Sequence, residues 1–113
     1  LMYPSKGDFI AVIGNLSQRK FTRMVKKGMK GTTDLAVYSF NAPVALPGID
    51  FSDHRNYWDF GFDAAMITDT AFYRNKAYHE DGDTADTLDY EKMGKVVVGV
   101  FESLKSLFPV NPR

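Results

Sequence analysis

Phe9-Ile10-Ala11-Val12-Ile13, closed by Gly14-Asn15, is a short unbroken apolar run with a turn signal at its end. So short a run leaves no polar face for a surface helix, so it reads as a strand buried on both sides. Just beyond it, Ser17 can cap a helix. In that helix Phe21, Met24, Val25, Gly28 and Met29 recur at helical spacing, basic residues hold the other face, and Gly31 is the stop. Leu35-Ala36-Val37-Tyr38-Ser39-Phe40 predicts a second strand, and Pro43, Pro47 and Gly48 make residues 41–50 a loop. Phe51 to Phe60 mixes aromatic and charged residues without a period and reads as loop with one helical turn. Ala64-Ala65-Met66-Ile67 is a third short strand.

Residues 71–88 form a long irregular connection. Loops of that length in compact domains are functional or disordered, and Phe72, Tyr73 and Tyr78 argue for order. The last element is a helix. Tyr90, Met93, Val96, Val97, Val100, Phe101, Leu104 and Phe108 make one apolar stripe, Asp86, Thr87 or Asp89 can cap its start, and Pro109 ends it. The order strand, helix, strand, strand, helix predicts an α/β layer structure with a small, largely parallel sheet and two main helices. So small a sheet leaves at least one edge in need of cover, which suits a piece of a larger sheet.

One domain is expected at 113 residues, and 44% hydrophobic with 14% aromatic residues is the composition of a folding chain. Net charge is zero, which argues against broad attraction to nucleic acid or anionic lipid. The charges are nevertheless segregated. Arg19, Lys20, Arg23, Lys26, Lys27 and Lys30 cluster without an acid, and Glu80, Asp81, Asp83, Asp86, Asp89 and Glu91 without a base. Both read as solvated surfaces. The chain has no cysteine, which excludes disulfides and thiolate zinc sites. No apolar run approaches the ~20 residues of a membrane span. The opening Leu1-Met2-Tyr3-Pro4 has neither an initiator methionine first nor a signal-peptide pattern, as expected of an excised piece of a longer protein.

Several short motifs occur in a fixed order: Gly7-Asp8-Phe9-Ile10-Ala11-Val12-Ile13-Gly14; Ser52-Asp53-His54 with Trp58 and Gly61; Thr68-Asp69-Thr70-Ala71-Phe72-Tyr73-Arg74-Asn75; Tyr78-His79; and Asp83-Thr84 through Asp86-Thr87-Leu88-Asp89-Tyr90 to Met93. Together they resemble the C-terminal third of the zinc aminopeptidases of metallopeptidase family 28, from about Gly7 to about Phe101. The resemblance implies part of a three-layer α/β/α zinc-exopeptidase-like fold. All of 1–113 would then be a single domain, the C-terminal part of a larger peptidase domain. It implies two zinc ions sharing a water whose pKa they lower while they polarise the scissile carbonyl.

Residue by residue, the resemblance makes His79 the final metal ligand, with Asp83 or Asp69 as candidates to orient its second nitrogen. Tyr78 is the candidate donor to the tetrahedral oxyanion, or else a packed aromatic with a wet hydroxyl. Asp53 either joins a network at the substrate amine or bonds nearby backbone in a structural turn. Phe51 stands where many relatives carry an Arg that binds a substrate carbonyl, so a hydrophobic contact is expected in its place. Ser52, Asp53 and His54 are adjacent and cannot assemble a catalytic triad. Arg74 and Asn75 are expected to brace the loop. Asp81-Gly82-Asp83 with Asp86 and Asp89 lacks the spacing of a calcium loop and suits helix capping better.

In such enzymes the other zinc ligands and the general-base Glu lie upstream. Nothing in this sequence supplies a second His near an Asp, or paired glutamates. The implied partners are therefore a peptide substrate and the N-terminal part of the same protein, and the piece alone is expected to be inactive. The resemblance leans towards an exported or periplasmic bacterial protein. Two alternatives stand beside it. One is a non-catalytic fold module that pairs or self-associates through an open sheet edge and an uncovered helix face. The other is a glutaminyl-cyclase-like acyltransferase on the same scaffold, which the run from Thr68 to Asn75 fits less well.

Overall fold

The computed structural model describes residues 7–111; Leu1-Met2-Tyr3-Pro4 lies outside the described residues. Three strands and three α-helices follow in order: β1 (Phe9–Gly14), α1 (Arg19–Met29), β2 (Ala36–Asn41), α2 (His54–Asp59), β3 (Met66–Thr68) and α3 (Tyr90–Leu107). The strands form one sheet in the order β2-β1-β3. Every residue of the central strand β1 is buried, as its continuous apolar run requires.

β2 runs parallel to β1, with Phe9 opposite Ala36 and Gly14 opposite Asn41. β3 runs antiparallel, with Ala11 opposite Thr68 and Ile13 opposite Met66. The sheet is therefore mixed rather than largely parallel. The connections explain the difference. A parallel pair needs a crossover that carries the chain back along the strand, and α1 provides it between β1 and β2. The helix between β2 and β3 is α2, which has 6 residues and rises only about 9 Å, half the roughly 20 Å of β1. It cannot return the chain, so β3 enters from the opposite end.

Alternation along β1 divides the core in two. Phe9, Ala11 and Ile13 face Ala42 and Ile49, with Phe40, Trp58 and Met66 packed beside them. Ile10 and Val12 face Val25, Met29 and Val37, closed over by Val96, Val100 and Leu107 of α3. One sheet face thus carries the two long helices, while the other is covered by the loops after β2 and β3.

α1 and α3 meet closely. A Cβ on Gly28 would lie 2.7 Å from the Cα of Ser103, and Ser103 Oγ donates to Val25 O at 3.2 Å. At the start of α1, fully buried Thr22 donates to Asn41 Oδ1 at 2.8 Å, and Asn41 Nδ2 donates to Asn15 O at 2.8 Å. These bonds tie the ends of β1 and β2 to the helix. Asn15, not Ser17, is the capping side chain: its Oδ1 accepts from Ser17 N at 3.0 Å and opens the single 3-10 turn that leads into α1.

Asp89 caps α3, accepting from Lys92 N at 3.0 Å and from Lys92 Nζ at 2.8 Å. The Lys92 ammonium, then the Lys92 backbone N–H, hold this carboxyl below the usual carboxylate range. A lowered folded-state pKa contributes stability that is complete above about pH 4, the unfolded value, and is lost as pH falls through the folded one. Asp89→Asn is therefore expected to flatten the acid limb of the stability curve, leaving a smaller fall in urea midpoint between about pH 6 and pH 2 than the parent chain shows. Equal falls in the two proteins would remove the cap from the account.

The predicted single stripe of α3 proves to be two adjoining faces. Val96, Val100 and Leu107 meet the core, whereas Tyr90, Met93, Val97, Phe101, Leu104 and Phe108 are exposed.

Candidate functional site

On the loop-covered side of the sheet lies an apolar cleft of about 660 Å³. Its floor is Phe9, Ala11 and Ile13 of β1, and its walls come from the loop after β2 and the turns after β3. Phe51, Phe72 and Tyr78 line it. The walls are fastened to each other and to the sheet. Tyr73 Oη donates to Pro47 O at 2.8 Å across the two walls. Gly48, at φ 94°, sits under the Phe72 ring, where a Cβ would be 3.2 Å from a ring carbon; the conformation and the close approach both call for glycine.

The segment that carries Tyr78 and His79 holds three non-glycine residues in the left-handed region: Thr70 (φ 78°), Ala71 (φ 43°) and His79 (φ 59°). Such conformations persist only where the surroundings over-determine them. Here the surroundings are specific. Thr68 Oγ1 accepts from Thr70 N at 3.0 Å, and Asp69 Oδ1 from Ala71 N at 2.9 Å. Arg74 Nε donates to Thr70 Oγ1 at 2.7 Å, its guanidinium also bonds Asp69 O, and it lies 4.2 Å over the Phe9 ring. Asn75 Nδ2 donates to Asp83 Oδ1 at 3.0 Å, and its Oδ1 accepts from Ala77 N at 3.0 Å. Arg74 and Asn75 thus brace the loop as their sequence position suggests.

An unbroken file of rings runs from the cleft to the solvent. Phe51 and Phe72 centroids are 5.9 Å apart, Phe72 and Tyr78 5.8 Å, and Tyr78 and His79 4.0 Å with planes only 16° from parallel. Tyr78 is half-buried in the cleft wall, and its hydroxyl has no partner among the described residues. His79 is exposed beside it and is not one of the residues that line the cleft. Among the described residues neither of its ring nitrogens has a hydrogen-bond partner. Asp83 accepts from Asn75 and Asp69 from the Ala71 amide, and among the described residues neither carboxylate bonds the imidazole as the sequence position of each suggested. A tight zinc site needs three or more protein ligands, and no group of three His, Asp or Glu side chains able to hold a metal occurs among the described residues.

The structure separates Asp53 from this group. Asp53 is exposed, makes no capping bond to α2, and lines a second, shallower depression with Asn56, Tyr57, Phe60 and Phe62. Phe51, Tyr78 and His79 come together; Asp53 does not join them.

His54 has a structural role that the sequence reading left undefined. It is buried, with Nε2 2.6 Å from Ile49 O and its ring edge-on to Trp58 at 4.6 Å. The carbonyl accepts the hydrogen on Nε2, and the buried Nδ1 has no partner among the described residues. Trp58 Nε1 in turn donates to Ala64 O at 2.9 Å, so this pair pins the loop that forms one cleft wall. Its signal in the sequence is the four-residue spacing of His54 and Trp58, which places both on one side of a helical turn. Phe72, which links Phe51 to Tyr78, left no comparable signal.

No protein-family profile matches the chain, and no solved structure matches it. Among curated proteins it is 56% identical over 103 residues to "Uncharacterized protein YfbL" of Escherichia coli (strain K12). That match takes in 91% of this chain and 32% of the relative, so the chain spans about a third of the relative's length.

Proposed function

We propose that this chain is the C-terminal part of a two-zinc aminopeptidase that removes N-terminal residues from peptides. The observation that carries the reading is the pair Tyr78–His79. An exposed histidine is stacked on the cleft-lining Tyr78, and among the described residues neither its ring nitrogens nor the tyrosine hydroxyl has a hydrogen-bond partner. His79 would hold zinc, and the remaining ligands and the general base would come from outside these residues. When bound, the zinc pair supplies an activated water and polarises the scissile carbonyl. Phe51 and Phe72 offer an apolar wall for the side chain of the residue to be cleaved. Tyr78 would donate its hydroxyl to the oxygen that gains charge in the tetrahedral intermediate. The reading gives Asp53 no contact with that residue.

The test is zinc content and leucine-anilide hydrolysis by the longer polypeptide that contains this segment. A folded protein that binds no zinc and leaves the anilide intact would count against it. Tyr78→Phe makes a sharper probe, because it keeps the ring stack and the cleft wall and removes only the hydroxyl. Loss of one oxyanion donor lowers kcat by about 100-fold. KM should stay close to its original value, since that hydrogen bond strengthens only in the transition state. A raised KM with unchanged kcat would instead make Tyr78 a wall residue.

A further inference from the structure

α3 is apolar around most of its circumference. Its inner face, with Val96, Val100 and Leu107, closes the core. Its outer face leaves Val97 68%, Phe101 58% and Leu104 51% exposed, and Phe108, just past its end, is 68% exposed. A helix apolar on both sides belongs in the interior of a larger body. Gly94 adds an independent sign. It lies on the outer face, and a Cβ built there meets nothing within 4 Å. Glycine inside a helix costs about 1 kcal/mol relative to alanine, and no packing among the described residues calls for it. The inner-face glycine behaves differently, since a Cβ on Gly99 would come 3.3 Å from Met29 Cε.

The spacing indicates the shape of the occupant. Tyr90, Gly94, Val97, Phe101 and Leu104 alternate steps of four and three residues, the seam that a second helix packs into. The relative indicates its source. The match leaves about two-thirds of that polypeptide outside the shared segment and covalently joined to it. A helix supplied in cis meets the seam at an effective concentration on the order of millimolar, well above that of a second copy in dilute solution.

We infer that the outer face of α3 is an internal docking surface, covered by an apolar helix face from the portion of the longer polypeptide that lies outside this segment. The inference is independent of the catalytic reading, since it needs neither metal nor substrate.

The absence of cysteine makes the test site-specific. Val97→Cys and Phe101→Cys are made in this chain, with exposed Lys27→Cys and fully buried Thr22→Cys as references. Cysteines are also placed at the positions of intact YfbL that match Val97, Phe101 and Lys27. Maleimide labelling is followed at each site by mass spectrometry. In this chain alone, the 97 and 101 sites should label as fast as the Lys27 site. In YfbL the matching sites should label about tenfold or more slowly than the exposed reference, as expected of side chains reached only through local opening. Equal rates within YfbL would overturn the inference. Slow labelling in this chain alone that slows further with protein concentration would overturn it too, and assign the face to a second copy. If Thr22→Cys labels as fast as Lys27→Cys, the isolated chain is not folded and the YfbL rates decide.

Discussion

If the proposed reading holds, replacing His79 by Ala in the longer polypeptide abolishes most of its leucine-anilide hydrolysis without disturbing its fold. The two halves of that expectation have separate grounds. His79 is exposed, its ring contact among the described residues is the stack on Tyr78, and its backbone is left-handed at φ 59°, so the replacement is paired with His79→Asn, a residue that tolerates that conformation. Substitutions at such surface positions usually change stability by no more than about 0.5 kcal/mol. The functional loss expected under the proposal follows from coordination. Removing even a group that merely supports a metal ligand costs about 10- to 100-fold in affinity or activity, so losing the ligand itself should cost about 100-fold or more. Zinc per polypeptide should fall alongside leucine-anilide hydrolysis, with the circular dichroism spectrum unchanged. Unaltered zinc content and rate would remove His79 from the site.

The second large effect is structural. Gly28→Val should destabilise the domain by about 3 kcal/mol, at the upper end of what overpacking a well-filled interface costs. The new side chain has nowhere to go. Its Cβ alone would stand 2.7 Å from the Cα of Ser103 and 2.8 Å from Ser103 Oγ, and backbone cannot yield as a flexible side chain can. α1 and α3 would have to separate. That would break the Ser103 Oγ bond to Val25 O and lift Val96 and Val100 from the core they close. Set against the 5–15 kcal/mol that holds a typical domain of this kind together, the loss should appear as a clear drop in urea midpoint. An unshifted midpoint would mean that the two helices are not docked in this way.

Much of this fold is legible in the chain. The unbroken run from Phe9 to Ile13 identifies a strand buried on both faces because no residue in it can face water at low cost. Local chemistry narrowed the caps without always choosing among neighbours: Asp89 is one of three residues the sequence offers at the head of α3, Gly31 follows α1 as expected, and Asn15 takes the role assigned to Ser17. The reversed direction of β3 was not legible. It depends on how far the chain travels between β2 and β3, and no periodicity reports that distance. The two faces of α3 were merged because Val96 and Val97, or Val100 and Phe101, are neighbours in an apolar sequence while pointing to different surroundings.

The site divides in the same manner. Tyr78 and His79 are adjacent in sequence and stay together in space, and Arg74 and Asn75 brace their loop through short-range bonds. What the sequence could not reveal is long-range. Phe51 reaches Tyr78 only through Phe72, and Asp53, two residues from Phe51, turns away into a different depression. Asp69 and Asp83 are close to His79 in the chain, yet each is engaged by the turn that holds it.

The central claim is that the imidazole at position 79 completes a zinc centre whose other ligands lie elsewhere in a longer polypeptide. Anomalous scattering from crystals of that polypeptide, recorded across the zinc absorption edge, tests it most directly. The account predicts a zinc peak about 2.0–2.1 Å from a ring nitrogen of His79, beside the cleft that Phe51 and Tyr78 line. A zinc peak remote from His79, or a zinc-loaded crystal in which that ring still faces only solvent, would contradict it.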